Sequence, residues 1–247
     1  MKISIITVCY NSAATLEKTI QSVLEQTYDD IEHIVVDGNS KDTTLQIIKK
    51  HESNITQWIS ESDNGLYDAM NKGVQLATGD LVGILNSDDT FYNTTVLEEL
   101  VNFHKQNLID ASIGNIIQHN TKGKIVRNYS SKNWQPEKLK IGFMPPHPAI
   151  FFKRTLFEKF GNYELDYVIA ADYELIIRFF LKNKISWKYS DITTTAMLVG
   201  GLSSSGISSY KLITKEIQKA LTKNEILFSQ FKIRMRFLLK IIELIKK

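Results

Sequence analysis

The stretch Gly83-Ile84-Leu85-Asn86-Ser87-Asp88-Asp89 ends an apolar run on an amide, a hydroxyl and two adjacent carboxylates. Neighbouring carboxylates repel and are costly to desolvate, so the pair calls for a cation. An apolar strand that stops on polar groups beside a crevice is how an open α/β sheet presents its ligand. An all-oxygen donor set suits Mg²⁺ or Mn²⁺. Taken alone, the same residues also make an ordinary solvated turn, because Asn, Ser and Asp all favour turns. The surrounding sequence decides between the two.

Upstream, apolar runs alternate with amphipathic ones. Residues 3–9 read as a buried strand, and 13–26 as a helix with Leu16, Ile20, Val23 and Leu24 inward and Asn11 or Ser12 as its N-cap. Strands are expected at 31–36 and 55–60, helices at 43–50 and 66–77, and a strand at 81–85 that carries the carboxylates. This βαβαβαβ rhythm requires a parallel sheet with helices on both faces. Downstream the rhythm changes. After a helix at 94–107, residues 111–117 and 124–129 flank a turn and suit an antiparallel edge. Residues 144–148 are stiff and hold three of the four prolines. A helix is expected at 172–183, strands at 186–190 and 193–199, and a small-residue loop at 200–209.

With 247 residues, 43% hydrophobic and 23% charged, the chain has the composition of a globular protein with a sizeable core. Its one cysteine, Cys9, permits no internal disulfide and fits a reducing cytoplasm. The apolar start meets Asn11 and Ser12 too soon for a secretory leader, and no run reaches the ~18 apolar residues of a membrane span. The net charge of +3 is unevenly spread. Residues 211–247 carry ten Lys or Arg against three Glu, a net of +7, and leave the remainder at −4.

Three further segments end apolar runs on acids. Asp37, before Gly38-Asn39-Ser40-Lys41-Asp42, stands where a carboxylate can accept a base imide N–H or a ribose hydroxyl, while Asp42 suits a helix cap. Asp63 closes the next strand and also reads as a cap. Lys72, on the helix that follows, is long enough to reach a diphosphate and equally suits solvent. Asp172, after Ala170-Ala171, fits either a helix start or a general base taking a proton from an attacking hydroxyl. His147, between prolines, reads first as part of a rigid loop. A glycine-rich dinucleotide or ATP fingerprint is missing.

These pieces in this order resemble the family 2 glycosyltransferases, nucleotide-sugar enzymes of the GT-A fold. The resemblance runs from Ile3 to about Val199 and rests on residues 4–11, Asp37-Gly38-Asn39-Ser40-Lys41-Asp42, residues 63–73, Asn86-Ser87-Asp88-Asp89 and Ala171-Asp172-Tyr173. It implies that Thr7, Tyr10 and Asn11 border the nucleotide and that Asp37 and Asp63 meet its base. Asn86, Asp88 and Asp89 would stand for the D-x-D-type motif that holds the ribose and Mn²⁺ or Mg²⁺. Asp172 would be the catalytic base of a metal-dependent, inverting hexosyltransferase. Two departures stand out: Asn86 replaces the first aspartate of the D-x-D, and Ala171 replaces the glutamate before the base. A late histidine ligand found in some relatives is also lacking, since the histidines end at His147. Which of Asp88 and Asp89 touches the metal stays open.

The expected architecture is therefore an α/β, GT-A (Rossmann-like) mixed, mainly parallel sheet with helices on both faces. Residues 1–107 form a nucleotide-binding half, 108–209 an acceptor-binding half, and 210–247 a basic amphipathic tail. In that tail Lys232, Arg236, Lys240, Glu243 and Lys247 share one helical stripe, and Leu227, Phe231, Leu238, Ile241, Ile242 and Ile245 line the other side. A basic amphipathic helix suits a membrane interface, which places the protein at the cytoplasmic face of a membrane. Packing on its own domain or a second subunit would also explain the stripe. The partners expected are a nucleoside-diphosphate sugar, a saccharide acceptor (lipid-linked if the tail meets a membrane) and no nucleic acid, in polysaccharide or O-antigen assembly. Two rival functions remain: a nucleotidyltransferase, which lacks its glycine- and arginine-rich loop here, and a nucleotide-sugar-binding module without catalysis.

Overall fold

Seven consecutive buried residues, Ile3–Cys9, form β1 at the heart of the sheet. Successive strand residues point to opposite faces, and here both faces are covered. Ile3 and Ile5 pack with Val23 of α1 (Leu16–Leu24) and with Val96, Leu97, Leu100 and Val101 of α4 (Val96–Asn107). Ile6 points the other way, against Gly73 of α3 (Leu66–Leu76), where an added Cβ would come within 2.3 Å of the Ile6 side chain. β2 (Ile31–Asp37) and β4 (Leu81–Ile84) flank β1 in parallel, and β3 (Gln57–Ser60) extends β2; α2 (Thr44–Lys50) lies between β2 and β3 in the chain.

The computed structural model describes residues 1–200 and 207–236. They fall into two compact units: residues 1–132, 146–163 and 186–199 form one, and 133–145, 164–185, 200 and 207–236 the other. The first unit holds a nine-stranded sheet in the order β3-β2-β1-β4-β8-β6-β9-β5, with β7 on β6. β6 (Ala111–His119) and β7 (Ile125–Tyr129) make the expected antiparallel pair. β5 (Thr90–Phe91), β8 (Ile150–Lys153) and α5 (Thr155–Phe160) are elements without a counterpart in the sequence expectation. The two strands expected at 186–190 and 193–199 are one, β9 (Trp187–Leu198), which takes a left-handed residue at Asp191 (φ 60°) and shifts register against β6. Neither Asn11 nor Ser12 caps α1 with its side chain; Thr15 occupies the cap position, and the Ser12 carbonyl accepts the amides of Thr15 and Leu16.

Two parallel connections leave β1 in opposite directions, to β2 on one side and, after β3, back across to β4 on the other. The carboxyl ends of β1 and β4 therefore form a topological switch point, where an open α/β sheet opens a crevice. At the opposite end of the strands, Glu32 is buried and accepts Ser4 Oγ (2.5 Å), Thr78 N (2.7 Å) and Lys2 Nζ (2.9 Å). Burial would raise its pKa, but these hydrogen bonds outweigh it and hold the carboxyl at about 2.

The second unit contains α6 (Ala171–Ile176), which runs on as a π-helical turn, Ile177–Lys182, and α7 (Ile207–Lys223). The Glu216 carboxylate of α7 accepts the backbone amides of Val168 (2.7 Å), Ile169 (2.9 Å) and Ala170 (2.9 Å). Buried Glu174 pairs with Arg178 (2.8 Å) and accepts Asn224 Nδ2 (3.0 Å). The expected tail stripe is not what forms over the described residues. Arg236, assigned to the basic face, is buried and donates to the Gly142 carbonyl (3.2 Å), whereas Leu227 and Phe231 are exposed. The cause is local: α7 stops at Lys223 and Glu225 adopts φ 61°, so helical phase is not carried into residues 230–236. Lys240, Glu243, Lys247, Leu238, Ile241, Ile242 and Ile245 lie outside the described residues.

Candidate active site

Three loops are tied together at the switch point. After β1, Asn11 is left-handed (φ 50°), a conformation Asn tolerates better than most residues. Its amide donates to Ser40 Oγ (2.8 Å), and its side-chain oxygen accepts Lys41 N (2.8 Å). Ser12 Oγ bonds Ser87 Oγ (2.8 Å), joining the β1 loop to the β4 loop, and Asp42 accepts the amides of Ala13 and Thr44. Ser12, Ser40 and Ser87 were not among the expected site residues, because a serine in a polar loop gives no sign of which loop it reaches.

The acids divide by exposure. Asp37 is fully buried; its carboxylate accepts the Ser40 hydroxyl and amide and, at 2.6 Å, the Ser60 hydroxyl. Thr7 is buried too, with its hydroxyl 3.0 Å from His33 Nε2. Asp63 is half-buried and accepts the Gly65 amide on Oδ1 (2.9 Å). Its Oδ2 leans on Gly38, where a Cβ would come within 2.4 Å of it and 3.4 Å of the ring of Tyr10. Tyr10 is 62% exposed. Lys72 is held by Glu61 (2.8 Å) and the Ser62 carbonyl (3.0 Å), with Asp68 at 3.9 Å, so the lysine expected to reach a diphosphate is engaged with its own neighbours.

At the end of β4 the side chains of Asn86, Ser87 and Asp88 are half-buried and Asp89 is buried. Asn86 Nδ2 donates to Asp89 Oδ2 (3.2 Å), while Asn86 Oδ1 and Asp89 Oδ1 are buried without a hydrogen-bond partner. Burial raises the pKa of Asp88; burial and then the Asp88 charge push Asp89 up to about 7. Among the described residues no Lys, Arg or His forms an ion pair with either. Two raised carboxyls and two orphaned oxygens fit a hard cation or the donors of a bound ligand. Among the described residues no group of three or more His, Cys, Asp or Glu is placed to hold a metal ion by itself.

Asp172 opens α6 in the second unit, half-buried, with Oδ1 accepting the Tyr173 amide (2.8 Å). The residue before it, Ala171, is fully buried, so the expected glutamate is replaced by a methyl group inside the core. In the first unit, His147 Nε2 lies 2.8 Å from the Tyr163 hydroxyl, and the Tyr163 backbone exchanges two hydrogen bonds with Asn71.

Burial drives His33, His104 and His147 down to about 4. Below about pH 6.5 the unfolded chain takes up protons that these residues in the folded chain refuse until about pH 4, so stability is expected to fall over that window. Asp88 and Asp89, whose carboxyls burial raises, act in the opposite sense, two groups against three histidines. Below pH 4.5, protonation of Glu32 in the unfolded state adds to the loss. A melting temperature that falls steadily from pH 7 to 4 is the expected result; a flat profile would contradict this assignment.

The family model for glycosyl transferase family 2 matches residues 4–162. An uncharacterized glycosyltransferase of Mycobacterium tuberculosis is 35% identical over 190 residues, 71% of this chain and 68% of the relative. A Mycobacterium bovis protein named PGL/p-HBAD biosynthesis glycosyltransferase is 32% identical over 225 residues, 88% of this chain and 83% of the relative. Among solved structures, S. aureus TarS 1–349 in complex with UDP-GlcNAc superposes with a TM-score of 0.71 at 20% identity. The match covers 90% of this chain and 66% of TarS 1–349, a little under two thirds. The mannosyltransferase PcManGT from Pyrobaculum calidifontis, in complex with GDP-Man and Mn²⁺, gives a TM-score of 0.65 at 17% identity, covering 90% of this chain and 63% of that one. The sheet described above is thus a GT-A fold.

Proposed function

This chain belongs to glycosyltransferase family 2, and from that premise we propose that it moves a hexose from a nucleoside diphosphate to an acceptor hydroxyl with inversion at the anomeric carbon. The observation that carries this reading is the unpartnered pair of buried oxygens, Asn86 Oδ1 and Asp89 Oδ1, behind half-buried Asp88 at the switch point. Neighbours that hold UDP-GlcNAc or GDP-Man support the donor class. A relative named a PGL/p-HBAD biosynthesis glycosyltransferase supports a biosynthetic role; the proposal places that role in cell-surface polysaccharide or O-antigen assembly at the cytoplasmic face of a membrane.

In this account the exposed ring of Tyr10 stacks on the base, and Asp63 Oδ2 accepts one of its N–H groups. Asn11 holds the β1 loop beside them, while Thr7 and Asp37 fix the strand ends from inside. Asp88 is the residue that would hold Mn²⁺ or Mg²⁺, with Asp89 and Asn86 setting its position. The cation's chemistry would be Lewis-acid neutralisation of the leaving diphosphate. Asp172 takes the proton of the acceptor hydroxyl. Lys72 stays with Glu61 and shapes the turn before α3.

Gly38 matters in the same account because it leaves room for Asp63. Gly38→Ala is expected to displace that carboxylate, weakening nucleotide binding by about tenfold, the worth of one hydrogen bond to a charged group. The melting temperature should hardly move. Unchanged affinity would remove Asp63 from base recognition.

The test of the reaction is incubation with UDP-, GDP- and dTDP-sugars and Mn²⁺, following nucleoside diphosphate release and, once an acceptor is found, the anomeric configuration of the product by NMR. Release from one nucleotide class and an inverted product are expected. Tight donor binding without release, with acceptors supplied, would turn the reading to a binding module; a retained configuration would remove the single-displacement mechanism.

A further inference from the structure

The second unit holds apolar side chains outward that its own packing leaves unused. Leu227 is 91% exposed and Phe231 71%. They do not belong to a loose end. Asn224 is bonded to Glu174, Ile226 N donates to Leu221 O (2.9 Å), and Ile233 and Arg236 are buried. Tyr210 donates its hydroxyl to the Arg234 carbonyl (3.1 Å), and its ring lies 5.1 Å from the Arg236 guanidinium. Residues 224–236 are therefore anchored on both sides of the exposed pair.

The charge around the pair has one sign in excess. Lys219 and Lys223 are neutralised by Asp166 (2.7 Å) and Glu164 (2.9 Å). Exposed Lys232 and Arg234, which follow Phe231 in the chain, form no ion pair among the described residues, nor do exposed Lys211 and Lys215 elsewhere in the unit; the exposed acid beside Leu227 is Glu225 alone. Large apolar side chains flanked by uncompensated cations fit a surface that is apolar beneath and anionic above, as a bilayer with acidic lipids is. A nucleic acid would meet the cations but offer little to an aliphatic leucine. No helix among the described residues is long and apolar enough to cross a membrane, so such contact would be interfacial.

We propose that Leu227 and Phe231 insert into the interface of an anionic lipid bilayer while Lys232 and Arg234 meet its headgroups. This deepens the cytoplasmic-face reading by naming the contact, and it stands or falls independently of the transfer chemistry.

The test is co-sedimentation of the full chain with vesicles of phosphatidylcholine containing about one-third phosphatidylglycerol, and with phosphatidylcholine alone. The native chain should bind the anionic vesicles and be released by high salt. Leu227→Glu/Phe231→Glu should lower the bound-to-free ratio at least about tenfold with no change in melting temperature, because both positions are exposed. Lys232→Glu/Arg234→Glu should lose the preference for anionic vesicles. Binding by the first variant equal to the native chain, equal native binding to both vesicles, or no native binding would overturn the proposal. So would a native dimer that becomes a monomer in the first variant without any vesicle binding, which would give the surface to a second copy of the chain.

Discussion

Asp172→Asn is expected to slow sugar transfer by about 100- to 10,000-fold, the usual contribution of a positioned proton acceptor. The substitution keeps the shape of the side chain and an oxygen for the Tyr173 amide, so α6 should keep its first turn. What it removes is basicity. An acceptor hydroxyl cannot hand its proton to an amide, and in the proposed site no second acid precedes Asp172, since position 171 is a buried alanine. Donor affinity should stay within about twofold, because the group acts only on the nucleophile. Initial rates at saturating donor, with donor affinity by calorimetry, separate the two effects. A rate within tenfold of native would take the base role away from Asp172.

Asp88→Asn is expected to lower turnover by at least about 100-fold and to weaken metal-dependent donor binding with it. The leaving diphosphate carries charge that a bound cation neutralises, an effect of several kcal/mol, and each 1.36 kcal/mol is tenfold in rate. Asp88 is the more exposed of the two carboxylates; Asp89 is buried behind it with Asn86 on one oxygen. Asp89→Asn should therefore disturb donor binding through Asp88, and also change stability, since it removes a carboxyl that burial already disfavours as an anion. Equal losses of metal affinity in both variants, without any change in stability, would contradict this division of roles.

The parallel half of the sheet was legible because its central strands, β1 and β4, are mainly apolar runs that end on polar groups, a pattern burial on both faces enforces. β8 and β5 were not: Ile150–Lys153 is only four residues long beside a proline-rich stretch, and Thr90–Phe91 is a two-residue pairing that only the arrival of β9 creates. Ser190-Asp191 has the composition of a turn, yet register shifts against β6 absorb it and the strand continues. The site shows the same limit. A motif marks Asp37 as an acid at a strand end but does not show Ser40 and Ser60 closing on it. Helical spacing placed Lys72 on a face without showing Glu61, eleven residues back, within reach. Over its described residues the tail departs from the expected stripe for a backbone reason: periodicity assumes one unbroken helix, and Glu225 breaks it.

The most direct measurement is the melting temperature of the native chain and of Asp88→Asn with UDP-, GDP- and dTDP-sugars, each with and without Mn²⁺. A ligand bound only by the folded state raises it by mass action, by about 2.7 kcal/mol of stability at one hundred times its Kd. The account predicts stabilisation by one nucleotide class that requires Mn²⁺ and is lost in Asp88→Asn. Stabilisation that is independent of the cation and retained in the variant would contradict it.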